Sequence, residues 1–219
     1  MPVQIYKHAR RDQPTVALTF DDGPNPPRTD QVLEILASRN VRGTFFVIGK
    51  WADRYPQALE RMIRAGHVIG NHSYLHDPNL GDFDRAEAAI GNILGKPTGF
   101  LRAHCFLYHL CEQSPVALGP SMRIVDSDVN PADWSLSDPE EILRRCLQSK
   151  ELQGGSIIDL HDGAETENDA ARLERPLAMI AALPRLIDGL ISRGYKLVGL
   201  DEMELVDPAP WVPSAVSVS

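Results

Sequence analysis

Cysteine is scarce in this chain of 219 residues: there are three, Cys105, Cys111 and Cys146. An odd count with no Cys-x-x-Cys or zinc-ribbon spacing argues against a disulfide framework and against a thiolate metal knot. Basic side chains are also in deficit, 22 Lys and Arg against 30 Asp and Glu, for a formal net charge of -8. Binding to a phosphate backbone needs a basic face, so nucleic acid is not an expected partner. No apolar stretch reaches the length of a membrane span, and no repeat or low-complexity linker divides the chain. The first residues, Met1 to His8, lack the apolar core of a secretory leader. The expectation is a cytoplasmic protein, or a secreted one if a leader has been removed.

What the chain does contain is 43% hydrophobic residues, enough for one sizeable core. Apolar runs at 16–20, 43–48, 67–70, 98–102, 122–127, 156–160 and 195–200 predict buried strands. Periodic segments at 29–39, 51–65, 138–149 and 173–193 predict helices between them. Ser137 is the expected cap of the third helix, with acids in its first turn, and Gly194 ends the last. Strands alternating with helices imply an α/β fold of parallel strands joined by helical crossovers. One domain is expected over residues 1–207, followed by a C-terminal tail, 208–219, that reads as an extended or mobile end.

Two clusters carry chemistry. Asp21-Asp22-Gly23 closes the apolar run Val16-Ala17-Leu18, and Asp-Asp-Gly alone is most often a solvated turn. Where a strand breaks into a Gly-Pro turn, however, two adjacent carboxylates can converge on one cleft, one holding a cation and the other free as a base. About fifty residues on, His72 and His76 stand four apart, a spacing that lets both rings meet one ion. An Asp with two His is a metal site with room for water. Three further segments lie at or just beyond strand ends: Phe100-Leu101-Arg102-Ala103, Asp128-Val129-Asn130-Pro131-Ala132-Asp133-Trp134 and Ile157-Ile158-Asp159-Leu160-His161-Asp162-Gly163.

In this order the five segments resemble those of the polysaccharide deacetylases related to the nodulation deacetylase, carbohydrate esterase family 4, over residues 14 to 203. The resemblance implies a distorted (β/α)7 barrel and a metal-dependent hydrolase that removes N-acetyl groups from N-acetylglucosamine-type sugars, in chitin-type or peptidoglycan glycans. It implies Asp22, His72 and His76 as ligands of a divalent metal, with zinc first and cobalt or nickel as alternatives. It makes Asp21 the general base, Arg102 its partner, His161 the general acid and Asp133 the group that orients His161. Leu160 and Trp134 would wall the pocket for the acetyl methyl. The backbone N–H at Cys105 would contact the oxyanion.

The chain departs from the pattern at Ala103-His104-Cys105, where a proline and an aromatic are expected. The stretch from His76 to Arg102 is shorter than expected, which should open the groove. His67 is expected to pack or hydrogen-bond beneath the site, and His8, His104 and His109 receive no role. Two other readings keep the same fold: hydrolysis of a non-sugar amide or an O-acetyl ester, and a catalytically silent carbohydrate-binding protein.

Overall fold

The apolar run at 16–20 becomes the central strand of a curled, mostly parallel sheet. The computed structural model describes residues 3–77, 81–104, 108–164 and 168–210. In chain order the elements are β1 (Gln4–Tyr6), β2 (Thr15–Asp21), α1 (Arg28–Ser38), β3 (Thr44–Val47), α2 (Gly49–Arg54), α3 (Pro56–Arg64), β4 (Val68–Asn71) and α4 (Phe83–Leu94). Then follow β5 (Phe100–Leu101), β6 (Arg123–Val125), α5 (Pro139–Leu147), β7 (Ser156–His161), α6 (Asp169–Glu174), α7 (Leu177–Ser192), β8 (Lys196–Val198) and β9 (Ala209–Pro210). The strand order is β7-β2-β3-β4-β5-β6-β1-β9, with β8 also on β2, and only β9 runs antiparallel to its neighbour.

The sheet curls until the segment after β6 meets the free edge of β7. There the Val129 N–H donates to the Ile157 carbonyl and the Asp159 N–H to the Val129 carbonyl. The seven predicted strands correspond to β2 through β8, and the fold is the distorted (β/α)7 barrel in a single domain.

Strand alternation sorts the side chains into two layers. Val16, Leu18 and Phe20 of β2 and Ile158 and Leu160 of β7 pack outward against the helices, with Leu183, Leu186 and Leu190 of α7 in the same cluster. Ala17 and Ile157 point inward, with Phe46, Phe100 and Val125. Further along the inward rows of β2 and β7 come Asp21, Asp159 and His161, so the carboxyl ends of the strands open into a polar cleft.

Several boundaries differ from expectation. The predicted helix 51–65 is two, because Pro56 starts α3 and pushes Tyr55 out of the helical region, to φ -130°. The helix predicted at 173–193 is likewise interrupted between Glu174 and Leu177, where Pro176 precedes α7. Asp138, not Ser137, caps α5: its carboxylate accepts the Glu140 N–H at 2.9 Å. The helix α4, in the shortened stretch before Arg102, and the short strands β1 and β9 were not predicted. The tail begins docked, with Ala209 paired to Ile5; residues 211–219 lie outside the described residues.

His67 sits at the opposite end of the sheet from the cleft. Its Nδ1 accepts the Gly43 N–H at 3.1 Å, and its ring meets Phe45 edge-on at 5.2 Å. Burial, with help from the charge of Arg42, pushes its pKa down to about 4. The unfolded chain therefore binds a proton between the ordinary value of 6.5 and about 4 that the folded chain refuses. Stability present above that window is lost as pH falls through it, by at most ~3 kcal/mol. Urea unfolding at pH 7 and pH 4.5 should show a smaller acid loss for His67→Gln than for the unsubstituted protein.

Candidate active site

The cleft is built from strand ends. Asp21 is the last residue of β2, and Asp22 follows with φ 72°, a left-handed conformation rare outside glycine and typical of functional turns. This reversal takes Asp22 off the strand alternation, and both carboxylates line the same cavity. The turn is clamped from β7. Asp162 N–H donates to the Asp21 carbonyl at 3.2 Å, and a Cβ on Gly163 would collide with the Asp22 backbone. The Asp162 carboxyl accepts the Thr29 hydroxyl. Its pKa is pushed up to about 7, by burial first and then by the Asp22 charge, against the Thr29 hydrogen bond.

Beyond β4 a second turn places the imidazoles. The Asn71 side chain accepts the Ser73 N–H at 3.0 Å, and Ser73 and His76 both adopt positive φ, 65° and 57°. The rings of His72 and His76 come within 5.1 Å. His72 Nδ1 donates to the Arg102 carbonyl at 2.8 Å, which fixes the tautomer and turns Nε2 inward. His72 Nε2 and His76 Nε2 then lie 3.4 and 3.3 Å from the same atom, Asp22 Oδ1, which is buried and, among the described residues, has no hydrogen-bond partner.

Tetrahedral bonds of ~2.0–2.1 Å place ligand atoms roughly 3.3–3.4 Å apart. The spacing and the one-carboxylate, two-imidazole donor set therefore fit a divalent ion. Burial alone would raise the Asp22 pKa, but the adjacent imidazoles outweigh it and hold the carboxyl well below the usual range.

Beside this trio stand a carboxylate and an imidazole, each held by a charged partner. Asp21 Oδ1 accepts from Arg102 Nη1 at 2.9 Å, and the same nitrogen lies 2.8 Å from Thr19 Oγ1 and 3.2 Å from Asp159 Oδ1. Arg102 is 2% exposed, so this is a buried charge whose cost is offset by its carboxylate neighbours, by the Thr19 hydroxyl and by the Val125 and Asp126 carbonyls. Across the cavity, Asp133 grips His161 twice. Its Oδ1 accepts a hydrogen bond from Nδ1–H and its Oδ2 one from the backbone N–H, each at 2.9 Å. Burial opposes a charged His161, yet Asp133, Asp159 and Asp22 carry its pKa well above the ordinary value. Nε2 is left as the nitrogen able to give a proton into the cavity. Trp134 lies edge-on to the His161 ring at 4.9 Å and is 42% exposed, so it forms the rim.

The structure thus brings together Asp21, Asp22, His72, His76, Arg102, Asp133, Trp134 and His161. It does not bring Leu160. That side chain is fully buried on the outer face of β7, among the helix-facing residues, and lines no part of the cavity. The residue on the inward face is Asp159, because side chains alternate. Cys105 lies outside the described residues.

The cavity, about 330 Å³, is also lined by His104, Tyr108, Asp126 and Asn130, none of which was given a role from sequence. His104 is 1% exposed, with its ring 4.4 Å from that of His76. The parity of Asp159 with His161 was a usable signal; the approach of His104 and Tyr108 depends on tertiary folding.

The profile of the polysaccharide deacetylase family matches residues 8–103. The chain is 35% identical to a chitooligosaccharide deacetylase of Sinorhizobium fredii over 202 residues, 86% of this chain and 91% of that protein. Among solved structures, the Bc1960 peptidoglycan N-acetylglucosamine deacetylase superposes with a TM-score of 0.78 at 27% identity, covering 91% of this chain and 92% of that one. The fold is shared also with BA3943, a family 4 pseudoenzyme from Bacillus anthracis, with a TM-score of 0.74 at 19% identity, over 95% of this chain and 72% of that one. Common descent over nearly the whole length, with the same barrel beneath it, establishes that this chain belongs to the polysaccharide deacetylase family, carbohydrate esterase family 4.

Proposed function

We propose that the protein is a metal-dependent hydrolase that removes N-acetyl groups from N-acetylglucosamine-type residues of a chitin-type or peptidoglycan glycan. The observation that carries this reading is the convergence of His72 Nε2 and His76 Nε2 on Asp22 Oδ1, at 3.4 and 3.3 Å, flanked by an Arg-held carboxylate and an Asp-held imidazole. Asp22, His72 and His76 would hold the ion, zinc by its donor set, with cobalt or nickel able to fit the same ligands. When bound, it supplies Lewis acidity toward the acyl oxygen and acidifies water.

The chain's own groups do the rest. Asp21 takes the proton of the attacking water, its carboxylate oriented by the hydrogen bond from Arg102 Nη1. His161 gives its Nε2 proton to the departing nitrogen as the C–N bond breaks, and Asp133 keeps that imidazole charged until it does. Residues 1–207 form the catalytic unit in this reading, with 208–219 as a tail.

Acetate release from N-acetylated chitooligosaccharides and peptidoglycan fragments is the test. Release that chelator abolishes and zinc, cobalt or nickel restores is the expected result. Cleavage confined to O-acetyl esters or non-sugar amides would move the substrate class. Glycan binding with no cleavage at any metal would make the protein a silent binder.

A further inference from the structure

The acyl end of the cavity has a polar floor. On the inward face of β7 the residue two before His161 is Asp159, and ligand atoms of Asp21, Asp159 and His161 all lie within 4.8 Å of one another. In hydrolysis of an amide, three substituents of the tetrahedral carbon have assigned directions. The incoming hydroxyl would face Asp21, the nitrogen would face His161, and the oxyanion would face the side where Asp22, His72 and His76 would hold the ion. The fourth, the acyl substituent, falls to the floor between base and acid, where Asp159 stands.

Asp159 is 6% exposed and held rigidly: Oδ1 accepts from Arg102 Nη1 at 3.2 Å and Oδ2 from Asn130 Nδ2 at 3.0 Å. A carboxylate offers about four acceptor positions, so these two bonds leave capacity for another donor. Asn130 is itself fixed, its Oδ1 taking the Ala132 N–H at 2.8 Å. A bare methyl set against this floor would desolvate a carboxylate and return no hydrogen bond, whereas a hydroxyl on that carbon would donate one.

We propose that Asp159, positioned by Arg102 and Asn130, is a specificity-determining residue that makes this protein favour N-hydroxyacetyl over N-acetyl amino sugars. The inference rests on the N-deacylase reading above and names the acyl group it prefers. The reaction is the same hydrolysis: water adds to the acyl carbon, the C–N bond breaks, the amine takes the proton from His161, and hydroxyacetate leaves in place of acetate. The interaction does not depend on the charge of Asp159, since a carboxylate and a carboxyl both accept from a hydroxyl.

The experiment compares kcat/KM of the metal-loaded protein on two chitooligosaccharides that differ only in N-acetyl or N-hydroxyacetyl substitution. The expected ratio favours hydroxyacetyl by about tenfold or more, as sites that hydrogen-bond a substrate hydroxyl discriminate against its absence. Asp159→Leu should invert the ratio, with metal content unchanged; Asp159→Asn, which preserves shape and can still accept, should keep the preference. A ratio at or below one for the unsubstituted protein overturns the proposal even if Asp159→Leu fails to fold. So does a ratio that Asp159→Leu leaves unchanged. Cleavage of neither substrate would instead overturn the deacylase reading on which it stands.

Discussion

Asp21→Asn is expected to keep its bound ion and lose turnover by roughly 10²–10⁴-fold, the range assigned to a positioned proton-transfer group. The amide preserves the shape and can still face Arg102, but it cannot take a proton. Asp22→Asn should behave in the opposite order. It removes the only anionic donor of the trio, whose Oδ1 is the atom both imidazoles approach at 3.3–3.4 Å, so metal content itself should fall. Metal analysis after dialysis, beside single-turnover rates at saturating ion, separates the two. Loss of metal in Asp21→Asn with retention and activity in Asp22→Asn would require the two roles to be exchanged.

His161→Ala should spare the ion and slow amide cleavage, again by about 10²–10⁴-fold, while affecting activated aryl esters much less. An amine departs only when protonated, and a phenolate hardly needs a proton. The pH profile of Asp133→Asn gives an independent reading. His161 is held protonated because its folded pKa is raised, burial being outweighed chiefly by Asp133, so activity should fall as pH rises through that value. Removing the Asp133 charge lowers it, and the alkaline limb of kcat should move to lower pH. An alkaline limb that stays in place would show that His161 is not the acid. The same pair contributes stability that is present below the ordinary histidine value and lost as pH climbs through the raised one.

Much of this was legible along the chain. The seven buried strands, their parallel arrangement and the five strand-end segments follow from local pattern. An apolar run long enough for a strand and short of a helix declares itself, and a polar residue at its end has few reasons to be there. The pairing of carboxylates and imidazoles was also local, each pair being separated by no more than four residues. The failures have local causes too. Pro56 and Pro176 interrupt periodic stretches that read as single helices, and β1 and β9, with three and two residues, are too short to show a period.

By itself, then, the sequence determined which residue types stand at the strand ends, because hydrophobic periodicity and turn chemistry act over a few neighbours. Only the tertiary structure decided which of them share a cavity and which way they face. The left-handed turn at Asp22 exists because β7 presses Asp162 and Gly163 against it, a contact across 140 residues. Arg102 reaches Asp21 because the sheet curls, and one residue of strand parity puts Leu160 among the helices and Asp159 at the floor of the cleft. Facing is a property of packed layers, fixed only when each strand has chosen which side to bury.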